Sequence, residues 1–446
     1  MSNNSSQELV CLEPSTAGID IAKDVIQVCV PSDRDENPNR EFKSFTEDLH
    51  SIVKWLKKCS IKRCIMESTG IYWFQLFNLL DQHGFETILV NPADVKNYTA
   101  RKSDVADAEW LMIIGSHGLY KPSFHTSWWI SDIKQLSRQR DSLVADSARA
   151  ILHMQKAMDL MNVKLSSVLT DIDGKSGMKI IKAILAGERN PHTLASLAHT
   201  RCHASREEIA KALEGTWNRA CLLQLKQAMA QYEFQQAQIL ECDREIEDII
   251  KKNMPESQKG EKPVERVKRQ SNKKNQVHFD IEQLAYHAWG VNVISIPGLG
   301  EAGTLRLLSE LGPSFIDRFP SVSSFCRWCN LAPKDEISGG KVLASHTQKT
   351  RASVVGQVFK QGAVTLNRKN CALGIYYRKM RSRGGGKFAS TCTAHKMAVI
   401  FFTMIKTGKN YEEKLTANSE QKIIEKKIQK LEKDKLRLQN KLAALN

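Results

Sequence analysis

Apolar and polar positions follow two different periods in the first part of the chain. Residues 17–31 (AGIDIAKDVIQVCVP) alternate and run apolar around a short turn, which predicts two strands. Three more short apolar segments predict strands, at residues 42–45, 63–66 and 85–90. Three segments with apolar residues at helical spacing predict helices, at residues 49–56, 71–82 and 105–114. After a polar, disordered leader at 1–16, the pattern therefore predicts an α/β domain over residues 17–127.

From residue 128 onward the strand pattern disappears. Apolar residues recur at steps of three and four over residues 128–252, which predicts paired helices in a coiled-coil region. Residues 253–278 are basic and almost without apolar side chains to offset the cost of ordering the backbone, so they predict a flexible linker. Residues 279–411 are predicted to form a third, mainly helical unit. The predicted fold class is thus α/β plus α.

The last segment, residues 412–446, has a period of its own. Its positions alternate by four and three in a heptad seam: Ile424, Ile428, Leu431, Lys435, Leu438, Leu442 and Leu445. The seam predicts a C-terminal coiled coil and self-association as a dimer or tetramer, with Lys435 at an a-type position that can fix the register. The alternative is a single solvated helix.

Charge indicates the class of partner. The 446 residues contain 65 Lys and Arg against 49 Asp and Glu, a net charge of +16, which favours a polyanionic partner. The excess is spread along the chain, whereas membrane binding usually concentrates charge beside an amphipathic or lipidated element. Nucleic acid is therefore the expected partner of a multidomain protein of this length, and no membrane partner is expected.

The eleven cysteines are scattered and odd in number, which is typical of a reducing cytoplasm rather than of a disulfide framework. Cys326 and Cys329 have CxxC spacing, but no second pair or histidine pair follows to complete a zinc site. We predict core cysteines on a helix. The opening MSNNSSQELV lacks the features of a signal peptide, and the longest apolar run, 397–405, is far shorter than a bilayer span of about 20 residues, so an intracellular protein is expected.

Four acids fall at comparable places in the first domain. Asp20 lies where the first strand emerges, Glu67 ends a later strand, and Asp104 and Asp107 lie one helical turn apart in KSDVADAEWL. Carboxylate oxygens are ligands that magnesium prefers, and two such ions can activate an attacking oxygen and stabilise a leaving one. Each acid alone would more often be a helix cap or a solvated charge. Together they match the order of acids in a ribonuclease-H-like fold and predict a site for two magnesium ions.

Several motifs now carry a family resemblance. The segments GIDIAK, MESTG, NPADVKNYTARKSDVADAEWL, SIPGLGEAGTLRLLSELG and SGGK resemble the DEDD transposases of bacterial insertion sequences, of the IS one-ten type. The resemblance implies a RuvC-like N-terminal domain in which Asp20, Glu67, Asp104 and Asp107 are catalytic, a central coiled-coil region for assembly, and a C-terminal transposase domain with a nucleophilic serine. It also implies a bridge-type guide RNA that pairs with donor and target DNA. The acidic helix departs modestly from the family pattern, and the linker and terminal heptads lengthen the chain.

The C-terminal unit contains a glycine turn and a candidate nucleophile. In ISIPGLGEAGT, Gly298 and Gly300 allow close backbone approach to a phosphate, as in helix-hairpin-helix motifs, although an ordinary helix connection would look the same. Ser338 in ISGGK is followed by two glycines and Lys341, which would let its hydroxyl and a cation approach a phosphodiester. A flexible turn fits equally well, and Ser345 is the rival serine. Only the family resemblance favours Ser338 as the catalytic nucleophile, through a phosphoserine intermediate.

A basic segment near the end of this unit predicts nucleic-acid binding. Its cations are Arg368, Lys369, Arg378, Lys379, Arg381, Arg383 and Lys387. They surround Tyr376 and Tyr377, whose rings can stack on bases, although Tyr376 is also a candidate core residue. The alternative is a solvated basic surface. Trp128 and Trp129 are expected to be core anchors.

These observations favour a transposase or recombinase that cuts and joins DNA with magnesium, in the bacterial cytoplasm and at the nucleoid when acting. One alternative is a magnesium-dependent, junction-resolvase-like nuclease in which Ser338 is structural. Another is an actin-like sugar kinase, but the first half of the chain lacks the further glycine-rich phosphate motifs of that class. A third is a non-catalytic nucleic-acid-binding protein, which the intact acids argue against.

Overall fold

The structure is a computed structural model that describes residues 11–68, 70–92, 104–254, 276–338, 341–347 and 353–413, with four isolated positions in the tail. The side chains of residues 104–106 and 333–347 lie outside this description. The chain divides into two compact units, Met1–Trp128 and Trp129–Asn446. The predicted linker falls largely outside the described residues and the heptad seam almost entirely, so the finer division of the second unit stays a prediction.

The first unit contains a five-stranded sheet. Its strands are β1 (Thr16–Ile21), β2 (Val25–Cys29), β3 (Asn39–Lys43), β4 (Arg63–Glu67) and β5 (Glu86–Val90). Their order is β3-β2-β1-β4-β5. β4 is parallel to both of its neighbours, and β2 is antiparallel to both of its own. The five predicted strands are confirmed, with the third beginning and ending earlier than expected.

Among the described residues of this unit, three helices cover the sheet: α1 (Thr46–Lys58), α2 (Trp73–Gln82) and α3 (Asp104–Ser116). Helix α1 has acids in its first turn and lysines in its last, the arrangement that the helix dipole favours. α1 and α2 share a core with one face of the sheet, where Ile19, Leu56 and Leu80 are fully buried. α3 packs on the other face, with Leu111 against Ile65. The predicted α/β layout with three helices is confirmed.

The second unit begins with a pair of long helices. Its first six helices are α4 (Trp128–Leu160), α5 (Leu165–Val168), α6 (Lys175–Leu185), α7 (Pro191–Ser196), α8 (Arg206–Ala212) and α9 (Arg219–Asn253). Arg140 of α4 contacts Asp243 of α9, and Ser147 accepts a hydrogen bond from Gln236. Because the numbers rise along α4 as they fall along α9, the two helices are antiparallel. The short helices between them share a hydrophobic core with the end of this pair.

The remainder of the second unit is mainly helical, as predicted, but it includes a hairpin that the sequence pattern did not predict. The described helices and strands of this remainder are α10 (Ile281–Trp289), α11 (Glu301–Leu311), α12 (Val322–Trp328), β6 (Pro333–Ser338), β7 (Lys341–Thr347), α13 (Val354–Thr365) and α14 (Ala372–Thr407). Strands β6 and β7 form the hairpin. Short 3-10 turns occur at Val293–Ser295, Phe315–Arg318 and Leu366–Arg368.

Helix α14 forms the centre of this region. Phe401 stacks on Phe315 with ring centroids 5.7 Å apart, and Phe402 packs on Phe325 at 5.4 Å. By length and composition α14 is the one described helix that could cross a membrane. Its backbone is broken at Gly384 and Gly385, however, and Phe401 and Phe402 are buried in the protein core, so we assign α14 to the core.

The two tryptophans that open α4 have different environments. Trp129 is buried, as expected of a core anchor. Trp128 is 42% exposed, so the prediction that it anchors the core was wrong. The pattern missed this difference because adjacent residues on a helix point about 100° apart and only one can face the core.

Candidate active site and nucleic-acid interface

Two of the predicted acids lie side by side at one edge of the sheet. β1 and β4 are parallel, and their register pairs Gly18 with Ile65 and Ile19 with Met66. The next residue on each strand is Asp20 and Glu67, respectively. Both carboxylates therefore emerge near the carboxyl ends of adjacent parallel strands, where side chains two residues apart share a face. Both are partly exposed.

Helix α3 lies across the face from which these acids project. A methyl group added to Gly18 would come 2.0 Å from the carbonyl oxygen of Ala108, so helix and strand backbones are in contact there. A methyl group on Gly115 would come 2.8 Å from side-chain carbons of Thr16 and Ile65. Thr16, Gly18 and Ile65 thus face α3, and Asp20 and Glu67 share their faces by alternation.

The same contacts fix the direction of α3. Gly115 lies over Thr16 at the start of β1, and Ala108 lies over Gly18 further along the strand. The helix therefore runs antiparallel to β1, and its first turn points to the end of the strand that carries Asp20. Asp104 is its first residue and Asp107 lies one turn later. The backbone brings all four predicted acids to one edge of the first unit, although the Asp104 side chain lies outside the described ones.

This donor set fits a divalent ion of the magnesium type, because all four side chains supply hard carboxylate oxygens. Among the described side chains, which omit Asp104, no three of His, Cys, Asp and Glu are close enough together to hold a metal ion. The fit therefore rests on donor chemistry and backbone placement. The metal site itself stays a prediction.

The candidate nucleophile ends one strand of the hairpin. Ser338 is the last residue of β6 and pairs with Lys341, the first residue of β7. Ser345 pairs with Asp335 further from the turn. The two glycines that join the strands lie outside the described residues, as do the side chains of both serines. The backbone thus places Ser338 and Lys341 together at the hairpin end, and the choice between the two serines stays open.

The helices before and after this hairpin are in contact with each other. Before it, the backbone amide of Leu331 donates to the carbonyl of Cys326 at 3.0 Å, and Leu331 is buried. After it, a methyl group on Gly356 in α13 would come 2.1 Å from the carbonyl oxygen of Cys329. α13 therefore packs directly against the end of α12.

The glycine turn before α11 separates into two roles. Gly298 has a left-handed φ of +95°, and a methyl group there would come 2.7 Å from the carbonyl oxygen of Gly362 in α13. Helix packing therefore accounts for Gly298. Gly300 is the N-cap of α11 and has open space around it, with no side chain capping the helix. Of the two, Gly300 has the room that a phosphate contact requires.

Comparison with protein-family models now decides the identity. A DEDD-type model described as transposase matches residues 17–163, which includes all four acids. A model described as transposase of the IS116/IS110/IS902 family matches residues 291–378, which includes the glycine turn and the hairpin. The chain belongs to the IS110-type transposases. A comparison with curated proteins finds no match.

Membership establishes the coarse activity. The transposase is an enzyme of an insertion sequence whose substrate is DNA. DEDD transposase domains typically use divalent metal ions, in agreement with the carboxylate donor set at the edge of the sheet.

The basic surface of the transposase lies on the first half of α14. Arg378, Lys379, Arg381 and Arg383 are all exposed. Arg378 donates to the carbonyl oxygens of Asn367 and Lys369, at 3.1 and 2.9 Å, and Arg381 donates to the Asn367 side chain at 3.2 Å. These two arginines are thus held by the preceding turn.

The two tyrosines of this segment differ. Tyr377 is buried, so it belongs to the core and cannot stack on a base. Tyr376 is half-buried, and the Lys396 ammonium lies 4.6 Å from its ring centroid. The sequence offered Tyr376 as a candidate core residue, but it is Tyr377 that the helix turns fully inward.

A helix break in this surface was not predicted. Gly385 has φ +79° and ψ −175°, a conformation that side-chain-bearing residues rarely adopt. The break leaves residues 381–388 exposed. The run RSRGGGK is the signal that could have revealed it, since three consecutive glycines disfavour a continuous helix.

The CxxC cysteines are core residues, as predicted. Cys326 lies in α12 and Cys329 is its C-cap, and both are buried. Burial raises the pKa of the Cys326 thiol to about 11. Burial, with a smaller contribution from Cys326, raises the pKa of Cys329 well above its ordinary value. Neither thiol has the thiolate character that metal binding or nucleophilic attack requires.

Proposed function

We propose that this transposase moves its insertion sequence by two linked reactions. The first is magnesium-dependent DNA cleavage at a RuvC-like carboxylate site, and the second is covalent attachment of the cleaved strand to Ser338. The observation that carries the proposal is the adjacency of Asp20 and Glu67 on parallel strands beneath the helix that begins at Asp104. The strand order, with one antiparallel strand beside the central β1, supports a ribonuclease-H-like fold.

The acids would hold two magnesium ions through Asp20, Glu67, Asp104 and Asp107. When bound, such ions supply charge stabilisation for the attacking and leaving oxygens of a phosphodiester. The protein's part is to fix the donors on rigid elements. Asp20 and Glu67 are fixed by the strand register, and α3 is fixed by its backbone contact with Gly18.

Ser338 would be the nucleophile of the joining chemistry. Its hydroxyl oxygen forms a bond to phosphorus as the bond between phosphorus and a deoxyribose oxygen breaks. The serine hydroxyl loses its proton, and the released sugar oxygen gains a proton. The number of phosphodiester-type bonds is unchanged, so a second sugar hydroxyl can reverse the step without an external energy source. The register of Ser338 with Lys341 supports a role for Lys341 in balancing phosphate charge.

Nucleic-acid binding would extend beyond these centres. Gly300, Arg378, Lys379, Arg381 and Arg383 would contact phosphates of the donor DNA, the target DNA or a bridge-type guide RNA, which the +16 charge supports. Gly298 would act through packing. By resemblance to its family, the transposase would self-associate, and the two centres would be completed across subunits.

The test is strand exchange with purified full-length protein. Magnesium, RNA transcribed from the DNA flanking the gene, and labelled donor and target duplexes are incubated together and resolved on a denaturing gel. Asp20→Ala is compared with Asp24→Ala, an exposed acid on the following turn, and Ser338→Ala with Ser345→Ala on the same hairpin.

We expect a covalent protein–DNA band and recombinant product with the wild type, Asp24→Ala and Ser345→Ala. Both should be lost with Asp20→Ala and with Ser338→Ala. Cleavage without a covalent band, unchanged in Ser338→Ala, would leave a metal-dependent nuclease and reject the serine step. Activity that does not require the RNA would reject the guide.

A further inference from the structure

The loop that leaves the carboxylate edge exposes two apolar side chains. Glu67 ends β4, and within five residues the chain reaches Ile71 and Tyr72. Ile71 is 79% exposed and Tyr72 is 45% exposed. Single exposed apolar residues are common on protein surfaces, so their exposure alone indicates nothing. Their position directly after a predicted metal ligand is what distinguishes them.

Hydrogen bonds hold Ser68 and residues 70–74, which are the described residues around this loop. The Ser68 amide donates to the Val90 carbonyl at 3.0 Å, which continues the sheet one residue beyond Glu67. The Trp73 indole donates to the Gly70 carbonyl at 3.2 Å, and the Phe74 amide to the Ile71 carbonyl at 3.2 Å. Gly70 has φ +63°, the left-handed conformation that the turn requires.

Aromatic packing anchors the next turn. Trp73 meets Phe77 edge to face at 5.7 Å and His125 at 5.4 Å. Tyr72 instead lies over the loop, where a methyl group on Gly70 would come 3.4 Å from its ring. The sequence thus places three consecutive large side chains after Gly70: Trp73 is partly buried against the core of the unit, whereas Ile71 and Tyr72 are exposed in the loop that follows Glu67.

We propose that Tyr72 and Ile71 position the DNA strand that is cut. The Tyr72 ring stacks on a base beside the scissile phosphate, and Ile71 packs against the neighbouring base. The inference rests on the proposed function of the carboxylate edge. An aromatic ring can stack on any base, which suits an enzyme whose DNA sequence is selected by other contacts. The favoured occupant is DNA rather than RNA because the edge that holds the acids acts on DNA.

Photocrosslinking tests the contact without requiring turnover. Full-length protein is mixed with calcium in place of magnesium, the flanking RNA, and donor or target duplexes substituted with 5-iododeoxyuridine at each position around the cut, or with 5-iodouridine in the RNA. We expect a DNA adduct on the peptide that contains Tyr72. Adducts there from the RNA alone, or DNA adducts only elsewhere, would overturn the proposal whether or not the protein cuts DNA.

Kinetics test its consequence. Tyr72→Ala should raise KM for DNA on the order of tenfold with a smaller change in kcat, and Tyr72→Phe should restore the wild-type values because it keeps the ring. The matched control is Phe45→Ala, an exposed aromatic of the same unit that follows the edge strand β3, three strands from β4. Wild-type kinetics in Tyr72→Ala would reject the stacking role while leaving the carboxylate chemistry intact. If the wild-type protein does not cleave DNA, the proposed function is rejected instead.

Discussion

The two units of the transposase position their residues by different means. In the first unit, the acids are placed by strand register and by a helix pressed against the backbone at Gly18. In the second, side chains link helices that are far apart in sequence: Arg140 with Asp243, Arg138 with Glu310, and Arg306 with Asp141. One unit is organised by its backbone, and the other by charged side-chain pairs.

The difference determines which substitutions should matter. Where backbone contact positions a site, the smallest added atom is disruptive, whereas an exposed acid nearby can be changed freely. Where charged pairs connect helices, removal of one partner leaves the other without compensation. Four substitutions test this contrast.

The buried pair of the second unit gives the largest expected effect. Arg140 and Asp243 are both almost fully buried, with Nε and Oδ1 2.6 Å apart, and Asp243 also accepts from the backbone amide of His278 at 3.1 Å. Asp243→Ala should lower the free energy of unfolding by about 3–5 kcal/mol, because the guanidinium stays buried without its partner. Urea denaturation measures it, with exposed Asp248→Ala on the same helix as control. A loss below about 1 kcal/mol would mean that charged pairs do not organise this unit.

Gly18→Ala tests the backbone contact of the first unit. The new methyl group would meet the Ala108 carbonyl oxygen and Met112 amide nitrogen, at 2.0 and 2.3 Å, so α3 must move. We expect a cost of about 1–3 kcal/mol in urea denaturation and a loss of DNA cleavage greater than this cost alone explains. Gly386→Ala is the control, since nothing lies within 4 Å of its added methyl group. Full cleavage by Gly18→Ala would show that the placement of α3 is unimportant.

Glu310→Gln sharpens the contrast within the second unit. The Glu310 carboxylate is nearly buried and binds both Lys134 and Arg138 at 2.8 Å, but these cations are partly exposed and can be rehydrated. The expected cost is therefore only about 1 kcal/mol in the same denaturation assay. Asp317→Asn, an exposed acid of the same region, should change stability by less than about 0.5 kcal/mol. A cost equal to that of Asp243→Ala would show that burial of the partner is irrelevant.

The smallest effect concerns a charged cluster in the first unit. The pKa of Asp35 is lowered from its ordinary 3.8 to about 2. The largest cause is a hydrogen bond from the Trp55 indole, followed by hydrogen bonds from the Asn37 amide and from Arg40. The lowered pKa stabilises the fold above about pH 4, and this contribution is lost as the pH falls from there to about 2. Asp35→Asn should flatten the pH dependence of the urea midpoint in that window. An unchanged slope would show that the cluster contributes nothing.

The first unit could be predicted largely from sequence because its organisation is local. Apolar periodicity predicted its five strands and three helices, and the positions of Asp20 and Glu67 at strand ends followed from that pattern. Their adjacency needed only the rule that parallel strands end at the same edge of a sheet. The contact between Gly18 and α3 was not predicted, because a glycine in a strand gives no indication of which element approaches it.

The second unit was less predictable because its determinants are pairwise and distant. Nothing in the sequence around Arg138 indicates Glu310, which lies 172 residues away. The hairpin that carries Ser338 has the polar segment PKDEIS as its first strand, which does not resemble a buried strand. Gly298 suggested phosphate binding, yet its contact with Gly362 explains it by helix packing.

The proposed function requires Asp20 and Glu67 to hold a divalent ion at one edge of the sheet. Manganese titration followed by electron paramagnetic resonance measures this directly, because the free aqueous ion gives a strong signal that decreases on binding. Full-length wild type and Asp24→Asn should bind manganese, and magnesium should compete for the site. Asp20→Asn and Glu67→Gln should bind manganese at least tenfold more weakly, although their urea denaturation matches that of the wild type. Equal manganese binding by all four proteins would show that Asp20 and Glu67 do not hold the ion.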